Sequence, residues 1–124
     1  MSRGLKTTFL VHAIVCLAFG VVLYLIPATW AALVNWVPYD PAITRIYAAA
    51  LLALSVSSWL GYRAARWDEV RIVVQMEIVV TVLGGLAGLY SALFAGAPLF
   101  IWVSIGIFVV FAVAWIYFYR QARS

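Results

Sequence analysis

Charged residues are scarce in this sequence. Lysine, arginine, aspartate and glutamate together make up 10% of its 124 residues, whereas hydrophobic residues make up 68%. Typical soluble domains have about 25% charged and roughly 45–50% apolar residues. A soluble fold of this size cannot bury so much apolar surface, so the composition excludes one. A lipid bilayer can surround such a surface.

Cysteine and histidine are also rare, and this limits the chemistry. Cys16 is the only cysteine, so no internal disulfide can form, and His12 is the only histidine. The sequence has no histidine and cysteine cluster with zinc spacing, no glycine-rich phosphate loop and no Ser-His-Asp set. We therefore predict no catalytic residue and no metal site, and the sequence leaves any cofactor unknown. Whether His12 meets a haem or another pigment stays open.

Four long apolar runs are present, at about 5–26, 43–62, 72–94 and 99–119. Each has about 20 residues, enough for a helix to cross a hydrocarbon core of roughly 30 Å. The first run is too long for a signal peptide and lacks a small-residue cleavage site after Pro27, so we expect a span. The prediction is an all-α integral membrane four-helix bundle, forming one four-span domain over 1–124.

The basic residues are distributed unequally between the two ends of these spans. In a four-span arrangement seven of them fall on one side and only Arg45 falls on the other, which predicts cytoplasmic termini (N-in/C-in) by the positive-inside rule. We expect a multi-pass protein of the cytoplasmic (inner) membrane. The short basic clusters do not indicate nucleic-acid binding. The seven residues are Arg3, Lys6, Arg63, Arg66, Arg71, Arg120 and Arg123.

Residues between the first two spans carry further structural signals. Asp40 followed by Pro41 is typical of a helix start, with a capping side chain and proline at the first helical position. Aromatic residues at Trp30 and Trp36 are typical of a membrane interface. A short helix near 29–36, lying on the membrane surface, and a loop with aromatic anchors are both compatible with this segment.

Small residues recur at four-residue spacing in the second and third spans. Such ridges let membrane helices approach closely. We expect the two ridges to make close helix contacts, either with each other or with other helices. The predicted packing residues are Ala49, Ala53, Ser57, Gly61, Gly84 and Gly88.

Two ionisable residues, His12 and Glu77, lie inside apolar runs, where such groups are functional-site candidates. Each lies six residues beyond a basic residue, so both sit roughly 9 Å inside the same face of the membrane. Three roles stay open for this layer: structural hydrogen bonding, contact with a partner, and proton-linked transport or catalysis. The predicted buried polar cluster is Glu77, His12, Gln75 and Ser57, with Ser55, Ser58 and Thr81 within about a turn.

The segment DPAITRIYAAALLAL at 40–54, followed by a basic turn, a third span and an aromatic-rich fourth span, resembles the DoxX-like group of small four-helix bacterial membrane proteins. The resemblance implies a four-helix membrane fold. Some members of that group are associated with quinone-linked oxidoreductases. It transfers no catalytic residue to this chain.

Three functions are compatible with these features. The first is a non-catalytic subunit or accessory protein that packs within a larger membrane complex, with lipids and other integral membrane subunits or copies of itself as partners. The second is a small proton-linked transporter or ligand-binding protein that uses Glu77. The third is a redox subunit associated with a cofactor or quinone, which would depend on His12.

Overall fold

The computed structural model describes residues 1–123, and it is built almost entirely of helices. No strand occurs in this range, so the all-α prediction is confirmed. Four of the helices are long and apolar enough to cross a membrane. The five helices are α1 (Arg3–Leu25), α2 (Pro27–Leu33), α3 (Pro41–Arg63), α4 (Trp67–Phe94) and α5 (Ile101–Arg123).

Local side-chain chemistry fixes where the helices begin. The Ser2 hydroxyl accepts a hydrogen bond from the Leu5 amide at the start of α1. The Asp40 carboxylate does the same for the Ile43 amide, at 2.9 Å. These side chains satisfy amide groups that have no partner within the helix. The Asp40 cap explains why α3 begins at Pro41, two residues before the apolar run.

The short helix α2 lies within the segment that joins the first two long helices. It begins at Pro27, two residues earlier than the sequence suggested, and ends at Leu33. Proline suits this first position because its missing amide is not needed there. Asn35 has a φ of 57°, a left-handed conformation that does not continue a right-handed helix.

The long helices pack as two antiparallel pairs. α1 lies mainly against α3, and α4 mainly against α5, whereas α1 with α5 and α3 with α4 touch more sparsely. Around the bundle the order is therefore α1, α3, α4 and α5, with α1 and α4 on a diagonal. Both described chain ends lie at one end of the bundle, where Gly4 meets the Phe118 ring.

Apolar side chains fill the bundle at this end and also cover its outside. The buried cluster contains Leu5, Phe9, Val70, Val74, Phe111 and Trp115. Large apolar side chains such as Leu25, Ile46 and Leu99 are more than two-thirds exposed. Exposed apolar surface of this extent is unfavourable in water and favourable in lipid. The fold is thus that of a helical protein with four candidate membrane spans.

Candidate functional site

His12 lies in the interior of the bundle, on the buried side of α1. A hydrogen bond of 2.7 Å joins its Nδ1 to the hydroxyl of Ser58 on α3. The rings of Phe111 and Trp115, both on α5, meet the imidazole edge-on, with centroid distances of 4.7 and 5.4 Å. These contacts hold the imidazole from two helices and fix its orientation.

Glu77 reaches the same point from α4 and is fully buried. Its Oε2 lies 3.5 Å from His12 Nε2. Neither carboxyl oxygen has a hydrogen-bond partner among residues 1–123. Buried polar groups in proteins are nearly always hydrogen-bonded, and an unmade bond costs about 1–3 kcal/mol. Glu77 is therefore energetically unfavourable for the fold, and this marks it as a candidate for function.

Further polar groups complete a layer around this pair. The Cys16 Sγ lies 3.5 Å from His12 Nε2, one helical turn along α1. The Ser55 hydroxyl donates to the backbone carbonyl of Ala13 at 2.7 Å. The Thr81 hydroxyl donates to the Glu77 carbonyl, also at 2.7 Å. Three helices thus contribute side chains to one buried polar layer.

The structure brings together only part of the polar cluster that the sequence suggested. His12 and Glu77 meet as described, but Gln75 is exposed and donates to the Tyr119 hydroxyl at 3.0 Å. Ser57 is half-buried and donates to the Leu54 carbonyl within its own helix. The serines that contact α1 are Ser55 and Ser58, which lie close to Ser57 in the sequence. Sequence depth alone does not separate adjacent serines, because it carries no information about rotation around the helix axis.

The predicted small-residue ridges have different surroundings. A Cβ on Gly61 would lie 2.6 Å from the Phe9 ring on α1, and one on Gly84 would lie 2.6 Å from the Phe108 ring on α5. Gly88 similarly faces Ile105 on α5, at 2.9 Å. The glycines therefore mark close contacts within the two helix pairs rather than contacts between α3 and α4. Ala49 and Ala53 lie at exposed positions.

A large cavity extends from the polar layer toward the opposite end of the bundle. Its volume is about 700 Å³. His12, Cys16 and Thr81 lie at its inner end, and the walls between the long helices are mainly apolar and aromatic. Ligand pockets in proteins typically measure about 300–1,000 Å³ and combine apolar walls with a few polar groups. The cavity has a volume within this range and the same combination of apolar walls and a few polar groups.

The outer end of the cavity is lined by α2 and the loop that follows it. Trp30 on α2 packs edge-to-face against Phe19 at 5.6 Å and Phe100 at 4.8 Å. Trp36 and Tyr39, from the loop, also line this end. We call Trp30, Trp36 and Tyr39 the aromatic roof. It lies between the cavity and the end of the bundle away from the chain termini.

The seam between α3 and α4 is the least closed side of the cavity. These neighbouring helices touch only sparsely, although both line the cavity. Ile43 and Tyr47, which line it from α3, are 67% and 47% exposed. Nearer the chain termini the same seam holds a second groove of about 390 Å³, bounded by Arg63 and Glu69. Side chains that line the cavity from α3 therefore also lie partly on the outer surface of the bundle.

Comparison with protein-family models, with curated proteins and with solved structures finds no match to this chain. Its chemistry must therefore be inferred from its own residues. Across residues 1–123, no three or more histidine, cysteine, aspartate or glutamate side chains are grouped so that they could hold a metal ion. The polar layer and the cavity above it form the candidate site.

Proposed function

We propose that this chain is a multi-pass membrane protein that binds a small, mostly apolar molecule in the cavity, with His12 at the polar end of the site. The carrying observation is the cavity itself: about 700 Å³ of mainly apolar space that ends on a buried imidazole. A protein that only needed to pack four helices would gain dispersion energy by filling this space. Binding explains why the space is there.

The ligand is taken up from the bilayer rather than from water. The aromatic roof covers the aqueous end, where Trp30 packs against Phe19 on α1 and against Phe100, which immediately precedes α5. The sparse seam between α3 and α4 faces the region that lipid chains would occupy. A molecule dissolved in the membrane can enter along this seam without crossing an aqueous interface.

The proposed location is the cytoplasmic (inner) membrane, with both termini cytoplasmic. Support comes from seven basic residues at the end of the bundle that carries the termini, against Arg45 alone at the other end. In this orientation the aromatic roof faces the outer side of the membrane. The polar layer lies nearer the cytoplasm, on the far side of the cavity from the roof.

Photolabelling in lipid nanodiscs tests the binding function. The probes are a long-chain alcohol, carboxylic acid and primary amine of equal length, each with a diazirine at mid-chain, and labelled peptides are identified by mass spectrometry. Ser104 lines the cavity, so we expect Ser104→Phe to reduce labelling of the cavity residues on α4. Val103, the next residue, is 50% exposed and does not line the cavity, so Val103→Phe is the matched control. Failure of all three probes to label cavity residues in the unmodified protein would refute the proposed function.

A second candidate, an accessory subunit of a larger membrane complex, is favoured by one observation. Ala49 and Ala53 lie one turn apart on α3 at exposed positions, and small residues allow another membrane helix to approach closely. In mild detergent, Ala53→Leu should then dissociate an assembly that native mass spectrometry detects. Val113→Leu, at an exposed position on α5 and so outside this face of α3, is the control. A chain that always purifies as a lone monomer excludes this candidate.

A further inference from the structure

We infer that the second groove between α3 and α4, near the chain termini, binds an anionic phospholipid. Arg63 holds the lipid phosphate, and the apolar floor of the groove holds part of one acyl chain. The groove has a volume of about 390 Å³ and shares no lining residue with the large cavity. The inference rests on the membrane location proposed above, but it does not depend on ligand binding in the cavity.

The groove lies where a lipid head group and the first part of its acyl chain would be. It follows α3 from Ser57 to Arg63 and α4 from Glu69 to Val73. Because the two helices run in opposite directions, Arg63 and Glu69 lie at its outer end. Six residues of helix correspond to about 9 Å, whereas one hydrocarbon leaflet is about 15 Å thick, half of the whole core. The groove therefore takes up about the first half of one chain.

The floor of the groove is apolar. Leu60 on α3 is 61% exposed, and Val70 on α4, which is buried, forms the bottom. The hydroxyl of Ser57 donates to the Leu54 carbonyl within its own helix. The two helices touch only sparsely, so an alkyl chain has room between them. Such a floor favours a lipid chain over a polar occupant.

Arg63 is available to an anion at the outer end of the groove. It is the last residue of α3, just beyond the apolar run, and so lies at the level expected for lipid phosphates. Among residues 1–123 it forms no ion pair. The guanidinium presents its N–H donors in a planar fork that matches phosphate oxygens. Arg63 can therefore hold a phosphate without breaking a contact within the protein.

Glu69, the acidic residue that lines the groove, is already compensated. Its Oε1 accepts a hydrogen bond from Arg66 Nε at 3.3 Å, and its Oε2 accepts one from the Ala65 amide at 3.1 Å. Arg66 thus neutralises Glu69 and leaves the charge of Arg63 in excess. A zwitterionic lipid gains less from this excess, because its amine cancels the charge of its phosphate. The groove therefore favours a lipid with a net negative charge.

The wider surroundings of the groove also favour an anion. Asp68 and Arg71 adjoin the lining residues of α4, but both are exposed, and their charges are opposite. This end of the bundle carries seven basic residues, against the acidic residues Asp68 and Glu69. Basic pockets between membrane helices are known to bind anionic lipid head groups.

Photolabelling in nanodiscs of unlabelled phosphatidylcholine tests the inference. The probes are trace phosphatidylglycerol, phosphatidylethanolamine and phosphatidylcholine with identical chains, one chain carrying a diazirine in its first half. The measured quantity is labelling of Leu60 and Val73 divided by labelling of Val110 and Val113, which are exposed on α5. We expect this ratio to be at least about fivefold higher for phosphatidylglycerol, because fivefold corresponds to about 1 kcal/mol and one basic residue near a membrane surface contributes about that much.

Charge variants locate the source of this preference. Arg63→Gln should remove most of it, whereas Arg63→Lys keeps the charge and should retain most of it. Arg63 is exposed, so neither substitution disturbs the packing of the bundle. Arg120→Gln is the matched control, because Arg120 is also an exposed basic residue at this end but lies on α5, outside the groove. It should leave the ratio unchanged.

Each outcome bears on the inference. A preference for phosphatidylglycerol that Arg63→Gln removes and Arg120→Gln leaves intact supports it. Equal labelling of the groove by all three lipids, or stronger labelling by phosphatidylethanolamine, overturns it. A preference that survives Arg63→Gln, or that both variants reduce equally, overturns it as well. These results leave ligand binding in the cavity intact, whereas absence of labelling at Val110 and Val113 by every lipid would remove the membrane location and this inference together.

Discussion

His12 on α1 and Glu77 on α4 face each other across the diagonal of the bundle, with 3.5 Å between Nε2 and Oε2. The two helices that carry them are not direct neighbours. The pair is therefore held by side-chain length rather than by close backbone approach. Its contact is too long for a strong ion pair, and the carboxyl oxygens have no other partner in the range 1–123. If the pair served only to stabilise the fold, we would expect a shorter contact and hydrogen-bond donors for the carboxyl oxygens.

Replacing Glu77 with an apolar residue should stabilise the protein. Removing a buried carboxyl that lacks donors relieves a cost of about 1–3 kcal/mol, and apolar replacements of buried ionic groups are often stabilising. We expect Glu77→Leu to raise the free energy of unfolding by about this amount, measured by equilibrium unfolding in mixed micelles. Met76→Leu, at an exposed position on the same helix, should change it by no more than about 0.5 kcal/mol. A marked loss of stability in Glu77→Leu would instead assign Glu77 a structural role.

Replacing Ser58 with alanine should destabilise the protein. Its hydroxyl is the partner of His12 Nδ1 at 2.7 Å, so Ser58→Ala leaves a buried ring nitrogen unpaired. We expect a loss of about 1–3 kcal/mol in the same unfolding measurement. Ser57→Ala removes only a bond within α3 and should cost much less. In a His12→Phe background the effect of Ser58→Ala should largely disappear; an unchanged effect there would show that the hydroxyl acts elsewhere.

The sequence predicted the helices because the medium imposes a simple rule. Backbone groups in lipid must bond within their own segment, so an apolar run of about 20 residues predicts a helix. The same rule predicted four candidate spans, which the structure confirms. Depth along a span also follows from residue counting, and this is why His12 and Glu77 were expected at one level. The ends of α3 and α4 extend beyond the apolar runs because polar residues still join the helix there.

The sequence could not determine which side of each helix faces inward. In a soluble helix the polar side identifies the surface, but here lipid-facing and core-facing residues are equally apolar. Ser57 was therefore expected in the polar layer where Ser58 lies. The ridge of Ala49 and Ala53 likewise lies at exposed positions. The cavity was not foreseen, because it depends on how α2 and its loop fold over the long helices.

Gly61 should tolerate a methyl group poorly. A Cβ at this position would lie 2.6–2.8 Å from three atoms of the Phe9 ring. That ring is itself fully buried and packs on Trp115 at 5.0 Å, so it cannot move freely. We expect Gly61→Ala to lower the free energy of unfolding by about 1–3 kcal/mol, as overpacking usually does. Gly106→Ala, where nothing lies within 4 Å, should be neutral or stabilising by up to about 1 kcal/mol. Equal effects of the two substitutions would contradict this packing.

The proposed orientation predicts which loops can be reached from outside the cell. In a Cys16→Ala background, single cysteines are introduced at Asn35, in the loop after α2, and at Ala65, between α3 and α4. A charged maleimide that does not cross membranes should label Asn35→Cys in intact cells. It should label Ala65→Cys only after the membrane is permeabilised. The reverse pattern would place the termini outside, and labelling of both in intact cells would exclude a single orientation.

Trp30 should control access of water-soluble molecules to the cavity. Its ring bridges Phe19 on α1 and Phe100 before α5, so Trp30→Ala removes the centre of the aromatic roof. Cys16, the only cysteine, lies at the inner end of the cavity and reports on access. We expect modification of Cys16 by a charged methanethiosulfonate to become at least about tenfold faster. A tenfold change corresponds to about 1.4 kcal/mol in the equilibrium between the closed and open aromatic roof. Trp59→Ala is the matched control, because Trp59 is 46% exposed and packs on Tyr62 at the other end of the bundle. If both variants react at the rate of the unmodified protein, the roof does not close the aqueous end, and uptake from the bilayer loses its main structural support.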